Sequence, residues 1–299
     1  MFYFDCTGFY GSGSHEKPDY PTLQSFIDEL DRLGINCALT THASARDNHC
    51  FVGNRQLMAD IEAIPGAENR IIPAFAVAPK NFYERENMEY LIEMLSSGRV
   101  GALSIYPGSD RFSITHLERL FDKISCYSPV VLLDCFEIMD GRNGNNAFGY
   151  ESLITVAKKY PNMPFIIRDG MWGDCGYIFD AMWRCDNIYA DISRLHVQDI
   201  IPNIRRNIGL GRVVFGSGYR ALCGASIAAL RYSGENEAEQ RRIAGERLMS
   251  LMPNKDEMKR LRKNLTELTP MTQNRFWTEY LRGEGIRSYE IIDVHTHLS

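Results

Sequence analysis

Four aspartates sit at the ends of apolar runs in this chain. Asp5 follows Met1-Phe2-Tyr3-Phe4, and Asp134 follows Val130-Val131-Leu132-Leu133. Asp169 follows Phe165-Ile166-Ile167-Arg168, and Asp191 follows Ile188-Tyr189-Ala190. His42 closes a fifth run, Cys37 to Thr41, and Arg168 and Arg220 lie beside the acids. Carboxylates whose surroundings separate their pKa values can do general acid–base work. A guanidinium fork can grip a substrate carboxylate through two bonds. Four carboxylates together can also hold a hard cation such as Mg²⁺. Asp134, Asp169, Asp191 and His42 are therefore the candidate catalytic residues. Arg168, Arg220, Asp5 and Trp172 are the candidates for holding a small polar ligand. The same residues admit an internal role, in which Arg168 or Arg220 neutralises the acids inside a closed cavity.

Thiols offer a second chemistry. Cys6 and Cys135 end apolar runs, and a neighbouring arginine would activate either one. His49-Cys50 places a base next to a thiol, but no third group orients the pair. The chain's 8 cysteines are scattered without a C-x-x-C pair. They read as small buried hydrophobes in a reducing, cytoplasmic setting. The polar run 140–146 reads as a surface loop or lid. Trp172 follows the sixth strand where a pocket would open, and Trp183 reads as core.

The elements that must position these residues alternate regularly. Candidate strands lie near 2–6, 35–41, 70–77, 100–106, 129–135, 164–169, 187–191 and 211–216, with helical patterns between them. Leu23, Phe26, Ile27, Leu30 and Leu33 form one such face before Gly34. Eight βα units over about 250 residues predict parallel strands closed into a (β/α)8 TIM barrel over 1–252. An open doubly wound sheet is the alternative. Gly8, Gly11 and Gly13 do not meet the spacing of a dinucleotide loop. A net charge of −5 argues against nucleic acid as a partner. No apolar run approaches the roughly 20 residues of a membrane span.

Residues 253–299 differ. Helical patterns at 253–268 and 272–282 form a helical tail. The apolar strand Tyr289–Leu298 then ends in His295-Thr296-His297. Two imidazoles at i and i+2 face the same side of a strand and can grip one divalent ion.

Ile292-Asp293-Val294-His295-Thr296-His297 resembles the opening strand of an amidohydrolase barrel. Arg212-Val213-Val214-Phe215-Gly216-Ser217-Gly218-Tyr219 resembles the eighth strand of the decarboxylase and lactonase-like branch of that superfamily. Asn187–Ser193 resembles its seventh strand and Ala244–Leu248 its last barrel helix. The resemblance implies the metal-dependent hydrolase fold, and the chain departs from it where the metal would bind. Thr7 and Phe9 stand in the first-strand histidine places. Ser104 stands for a bridging lysine, Asp134 and Asp169 for two histidines, and Gly218 for the metal-binding, proton-shuttling aspartate. None of the 7 histidines lies between His116 and His196.

A catalytic zinc needs about three protein ligands, and it lowers the pKa of its bound water to about 7. Threonine, phenylalanine and glycine supply none of these ligands. The barrel is therefore expected to lack a metal cofactor and to act as a non-catalytic scaffold or regulator. Its partner would be an active amidohydrolase barrel, downstream in a longer chain or separately encoded, with His295 and His297 belonging to that domain. The alternative is a hydrolase or lyase for a small carboxylated or amide substrate, metal-independent or with an altered Zn or Mg site. A homodimer is also expected.

Overall fold

Each predicted apolar run becomes a strand of a single sheet. The strands are Phe4–Tyr10 (β1), Cys37–His42 (β2), Ile71–Val77 (β3), Ala102–Ile105 (β4), Val130–Asp134 (β5), Phe165–Arg168 (β6), Ile188–Asp191 (β7) and Val213–Val214 (β8). Their order is sequential and every neighbouring pair is parallel. The Cys6 amide donates to the Phe215 carbonyl at 3.1 Å. That bond ties the last strand back to the first, so the sheet is a (β/α)8 barrel and not an open doubly wound sheet. The computed structural model describes residues 1–13, 19–138, 146–170, 172–194, 200–218 and 225–254, with the backbone alone at 146–148 and 172. The tail beyond 254, with its two expected helices and His295 and His297, lies outside the described residues. So do Arg220 and residues 140–145 of the polar run.

The helices follow the expected spacing. Leu23–Leu33 (α1) begins at Thr22, whose hydroxyl accepts from the Ser25 amide, and stops at Gly34. Its buried face is the predicted one: Leu23, Phe26, Ile27, Leu30 and Leu33. Ala43–Asp47 (α2) and Cys50–Ala63 (α3) follow β2. Arg85–Ser96 (α4), Glu118–Ile124 (α5), Asn146–Lys159 (α6), Cys175–Arg184 (α7) and Ile200–Asn207 (α8) complete the outer layer up to β8. The final segment runs from Glu237–Arg241 through a π-turn, Arg242–Glu246, into Arg247–Leu251.

Alternation along the strands separates two cores. Phe4, Leu39, Ala74, Leu132, Ile166 and Val214 fill the barrel interior, joined by Leu248, Met249 and Met252 from the final segment. Phe75, Leu103, Val131, Phe165 and Phe215 point outward into the helix layer. The interior is apolar where the strands begin and polar where they end. Ser104, Asp134, Arg168 and Asp191 are all buried near strand ends. This is the end at which barrels place their chemistry.

Two boundaries and one packing expectation need correction. β1 runs to Tyr10 because a bulge between Asp5 and Gly8 lets it continue along β2. β8 is only two residues long because Ser217 and Gly218 turn their amides to Asp5 and Thr7 side chains instead of the ladder. Trp183, expected in the core, is 75% exposed on α7.

Candidate functional site

The bulge in β1 places Asp5 and Thr7 at the seam with β8. Asp5 accepts four hydrogen bonds. They come from the Thr7 amide (2.8 Å), the Thr7 hydroxyl (2.6 Å), the Ser217 amide (2.9 Å) and the Ser217 hydroxyl (2.5 Å). Gly218 in turn donates its amide to Thr7 Oγ1 at 3.0 Å. Gly218 has φ +84, a conformation that favours glycine over an aspartate at that position. The Phe9 ring lies 4.6 Å from the Arg46 guanidinium. Asp5, expected to contact ligand, is wholly buried and fully occupied within the seam.

A second network crosses the strand ends. Arg168 ends β6 with no exposed surface, and its Nε donates to Asp134 Oδ1 at 2.7 Å. Arg168 Nη2 lies 2.6 Å from the same oxygen, and Nη1 donates to the Cys6 carbonyl at 3.0 Å. The sequence offered this arginine either as a substrate clamp or as a neutralising partner for the acids. Its contacts to Asp134 and Cys6 are both internal to the barrel. The bond to Asp134 charge-pairs β5 with β6, and the bond to Cys6 braces β1 across the barrel.

Asp169 and Asp191 form the third part. The Asp169 amide donates to Asp191 Oδ1 at 3.2 Å, and the Ser193 amide to the same oxygen at 3.3 Å. The Cys6 thiol donates to Asp191 Oδ2 at 3.7 Å. A Cβ on Gly216 would come within 2.2 Å of Asp191 Oδ2, so only glycine lets this carboxyl lie against β8. Asp169 has φ +53, unusual for a non-glycine residue and found where a site holds its backbone in place. Its Oδ1 accepts from the Ser193 hydroxyl at 3.0 Å. Its Oδ2 is buried without a hydrogen-bond partner among the described residues.

Burial, and then the charge of Asp134, push the Asp169 pKa up to about 7. Arg168, the Ser193 hydroxyl and Arg194 pull the other way and only partly offset this. Asp191 is driven well above the usual carboxylate range by burial and by Asp169. Both carboxyls are therefore shifted toward the protonated form, each by burial and by a neighbouring acid.

His42 stands apart from this network. Its Nδ1 caps α2, accepting from the Ser44 amide at 3.2 Å and lying 2.7 Å from the Ser44 hydroxyl. Burial lowers its pKa, so the ring is neutral with its proton on Nε2. Cys6, Cys50 and Cys135 sit as the buried small hydrophobes the sequence suggested, not as activated groups. Burial and Asp191 drive Cys6 well above the ordinary thiol range. Cys135 packs outside the barrel, 3.3 Å from the Tyr150 hydroxyl and 3.4 Å from Asp174. Burial pushes Cys50 up to about 12, while His49 Nε2 turns to Glu84 at 3.3 Å. Burial thus disfavours the thiolate at Cys6 and Cys50. Ser104 bonds Thr41 Oγ1 at 2.8 Å. The Trp172 side chain lies outside what is described.

Sequence reasoning missed Arg194 and Tyr106. Arg194 follows β7 by three residues, is half-buried, and rests its guanidinium 5.1 Å from the centre of the Phe136 ring. No carboxylate pairs with it among the described residues. Tyr106 is the next inward position after Ser104, a step that strand alternation would have revealed.

No protein-family model matches the chain, and no curated protein matches its sequence. Solved structures do match its fold. A 4-oxalomesaconate hydratase from Rhodopseudomonas palustris superposes with a TM-score of 0.61 at 13% identity, over 88% of this chain and 99% of that one. A dihydroxybenzoic acid decarboxylase from a Polaromonas species, solved with manganese and an inhibitor, gives 0.60 at 12% identity, over 90% and 99%. A Staphylococcus aureus protein described as an amidohydrolase gives 0.59 at 13% identity, over 84% and 99%. At these identities the likeness establishes the barrel fold.

Proposed function

We propose that the barrel mouth is an acid–base site for a small carboxylated substrate and that it works without a resident zinc ion. Asp169 holds the exchangeable proton, Asp191 fixes the Asp169 backbone, and Arg194 receives the substrate carboxylate. One observation carries this reading: Asp169 is a buried acid with a free Oδ2 and a pKa near neutrality, the poise that general acid–base work requires. Arg194 supports the substrate class, because a guanidinium held over an aromatic ring, 5.1 Å from its centre, can still turn its N–H fork to a carboxylate. The hydratase and the decarboxylase of the same fold are named for small carboxylated compounds.

The donor set does not fit the zinc site that the sequence resemblance implies. Thr7 is spent on Asp5 and Gly218, Asp5 is spent on four donors, and Asp134 is spent on Arg168. Among the described residues no three His, Cys, Asp or Glu side chains are grouped to hold an ion. Incubating the full chain with a panel of small carboxylic acids, followed by proton NMR with and without chelator, tests the proposal. Turnover that survives chelation and is lost in Asp169→Ala supports it. Turnover that stops on chelation and returns with zinc overturns it.

The closed seam also favours a second reading, in which the barrel is a scaffold for an active amidohydrolase partner. Its vacated ligand places are stitched to one another by Asp5, Thr7, Ser217 and Gly218. Specific binding of such a partner, with no turnover of any acid, would favour this reading.

A further inference from the structure

Three residues lie level across neighbouring strands. Ile105 of β4 pairs with Leu133 of β5, so Tyr106 and Asp134 are the next residues out, and Asp134 pairs directly with Arg168 of β6. Inward alternation from Ala102, Val130 and Ile166 brings Tyr106, Asp134 and Arg168 onto the interior face. Asp169 then leaves the strand through its positive φ and brings its carboxyl to Ser193.

Besides Arg168 Nη2, which meets Asp134 Oδ1 at 2.6 Å, two polar atoms of this layer have no hydrogen-bond partner among the described residues: Tyr106 Oη and Asp169 Oδ2. Both residues are 1% exposed. The Ser104 hydroxyl, engaged with Thr41 Oγ1, reaches Tyr106 closely enough to lower its pKa by hydrogen bonding but falls outside full bonding geometry. An orphan polar atom in a protein interior is rare and costly. Tyr106 and Asp169 each feel the charges of Asp134 and Arg168, so both orphans border one buried ion pair, a setting suited to an acceptor that is not part of the chain.

Burial favours the hydrogen-carrying form of each group. Burial keeps Tyr106 neutral, and burial beside Asp134 keeps Asp169 protonated toward neutrality. Ser193 donates to Asp169 Oδ1, which leaves the acid proton on Oδ2, the orphan oxygen. The ion pair beneath is internally neutralised, so it does not favour a fully charged carboxylate or phosphate. Two neutral donors suit a single oxygen whose negative charge is spread into a carbonyl or an aromatic ring. A tyrosine and a buried protonated aspartate are known to serve an enolate in this way in another fold.

We propose that the Tyr106 and Asp169 hydroxyl groups form an oxyanion subsite above the Asp134–Arg168 pair, taking the oxygen of an enolate or phenolate. This rests on the reading of Asp169 as a protonated acid. It narrows the chemistry to reactions that pass through an enolate beside the carboxylate held by Arg194.

The probe is 4-nitrophenol, whose ionised form has a visible absorption band, titrated against the full chain. Native protein is expected to bind it saturably as the phenolate. Tyr106→Phe and Asp169→Ala are each expected to weaken binding about tenfold, the loss of one charge-assisted hydrogen bond. Asp169→Asn keeps a donor and is expected to stay within about threefold. Tyr106→Phe also removes an unsatisfied hydroxyl, so its urea midpoint is expected at or above that of the native chain. Absence of saturable binding overturns the subsite, as does native-like binding by Tyr106→Phe. A lowered midpoint for Tyr106→Phe also overturns it, because the hydroxyl would then be bonded within the protein. If phenolate fails to bind while Asp169 still titrates near neutrality, only the subsite falls and the acid–base reading stands.

Discussion

Gly218 donates its amide to the Thr7 hydroxyl at 3.0 Å, so two positions that break the expected ligand pattern are bonded to each other. The substitutions form one structure that closes the β1–β8 seam around Asp5. Thr7→Val removes a donor from Asp5 and the acceptor of Gly218. It is expected to cost about 1–3 kcal/mol in urea unfolding. Asp5→Ala strands four donors at once and is expected to cost more than Thr7→Val.

Zinc gives a direct readout of the same seam. A ligand at a hundred times its Kd stabilises a native protein by about 2.7 kcal/mol, a rise of several degrees in Tm for a domain of this size. Added zinc is expected to leave the Tm of residues 1–254 unchanged, and chelation likewise. The measurement is differential scanning fluorimetry on a chain ending at 254, where the described barrel ends and His295 and His297 are absent.

Arg168 and Asp134 are expected to behave as one unit. Arg168→Met leaves the Asp134 carboxyl buried beside Asp169 without its cation. The expected loss is about 3–5 kcal/mol in urea unfolding. Pairing it with Asp134→Leu removes both charges and is expected to recover most of that loss.

The raised pKa of Asp169 fixes the direction of its pH dependence. Unfolded, the carboxyl releases its proton near 3.8; folded, it holds the proton to about 7. Between those values the native state binds more protons, so stability falls as pH rises, by up to about 1.4 kcal/mol per pH unit. The contribution is intact below the lower value, and the loss is complete above the upper one. The groups facing Asp169 are Asp134, Arg168, Asp191, Ser193 and Arg194. Asp169→Asn should flatten the decline, as urea midpoints across pH 4 to 8 would show. Asp191, raised in the same direction, adds to the native slope.

The fold was legible because its signals are local. Apolar runs ended at buried acids, and the α1 face from Leu23 to Leu33 had helical spacing. Asp134, Asp169 and Asp191 were correctly placed at or just beyond strand ends, since inward alternation follows from the runs that precede them. The β1 bulge was not legible. It lies where Asp5 meets Ser217, 212 positions away, a contact no local pattern reveals. Arg168 was visible as a cation, but its commitment to Asp134 depends on the register of β5 against β6. Arg194 escaped notice because no apolar run ends on it; its position comes from the turn after Asp191 and the ring of Phe136.

The central claim is that Asp169 holds a proton near neutral pH in a site without a metal. Carbon-13 NMR of aspartate-labelled protein, with the Asp169 signal assigned through Asp169→Asn, measures this directly. The account predicts a carboxyl that titrates at about 7 and is unchanged by chelator. A carboxyl already ionised at pH 5, or one whose titration moves when zinc is removed, would contradict it.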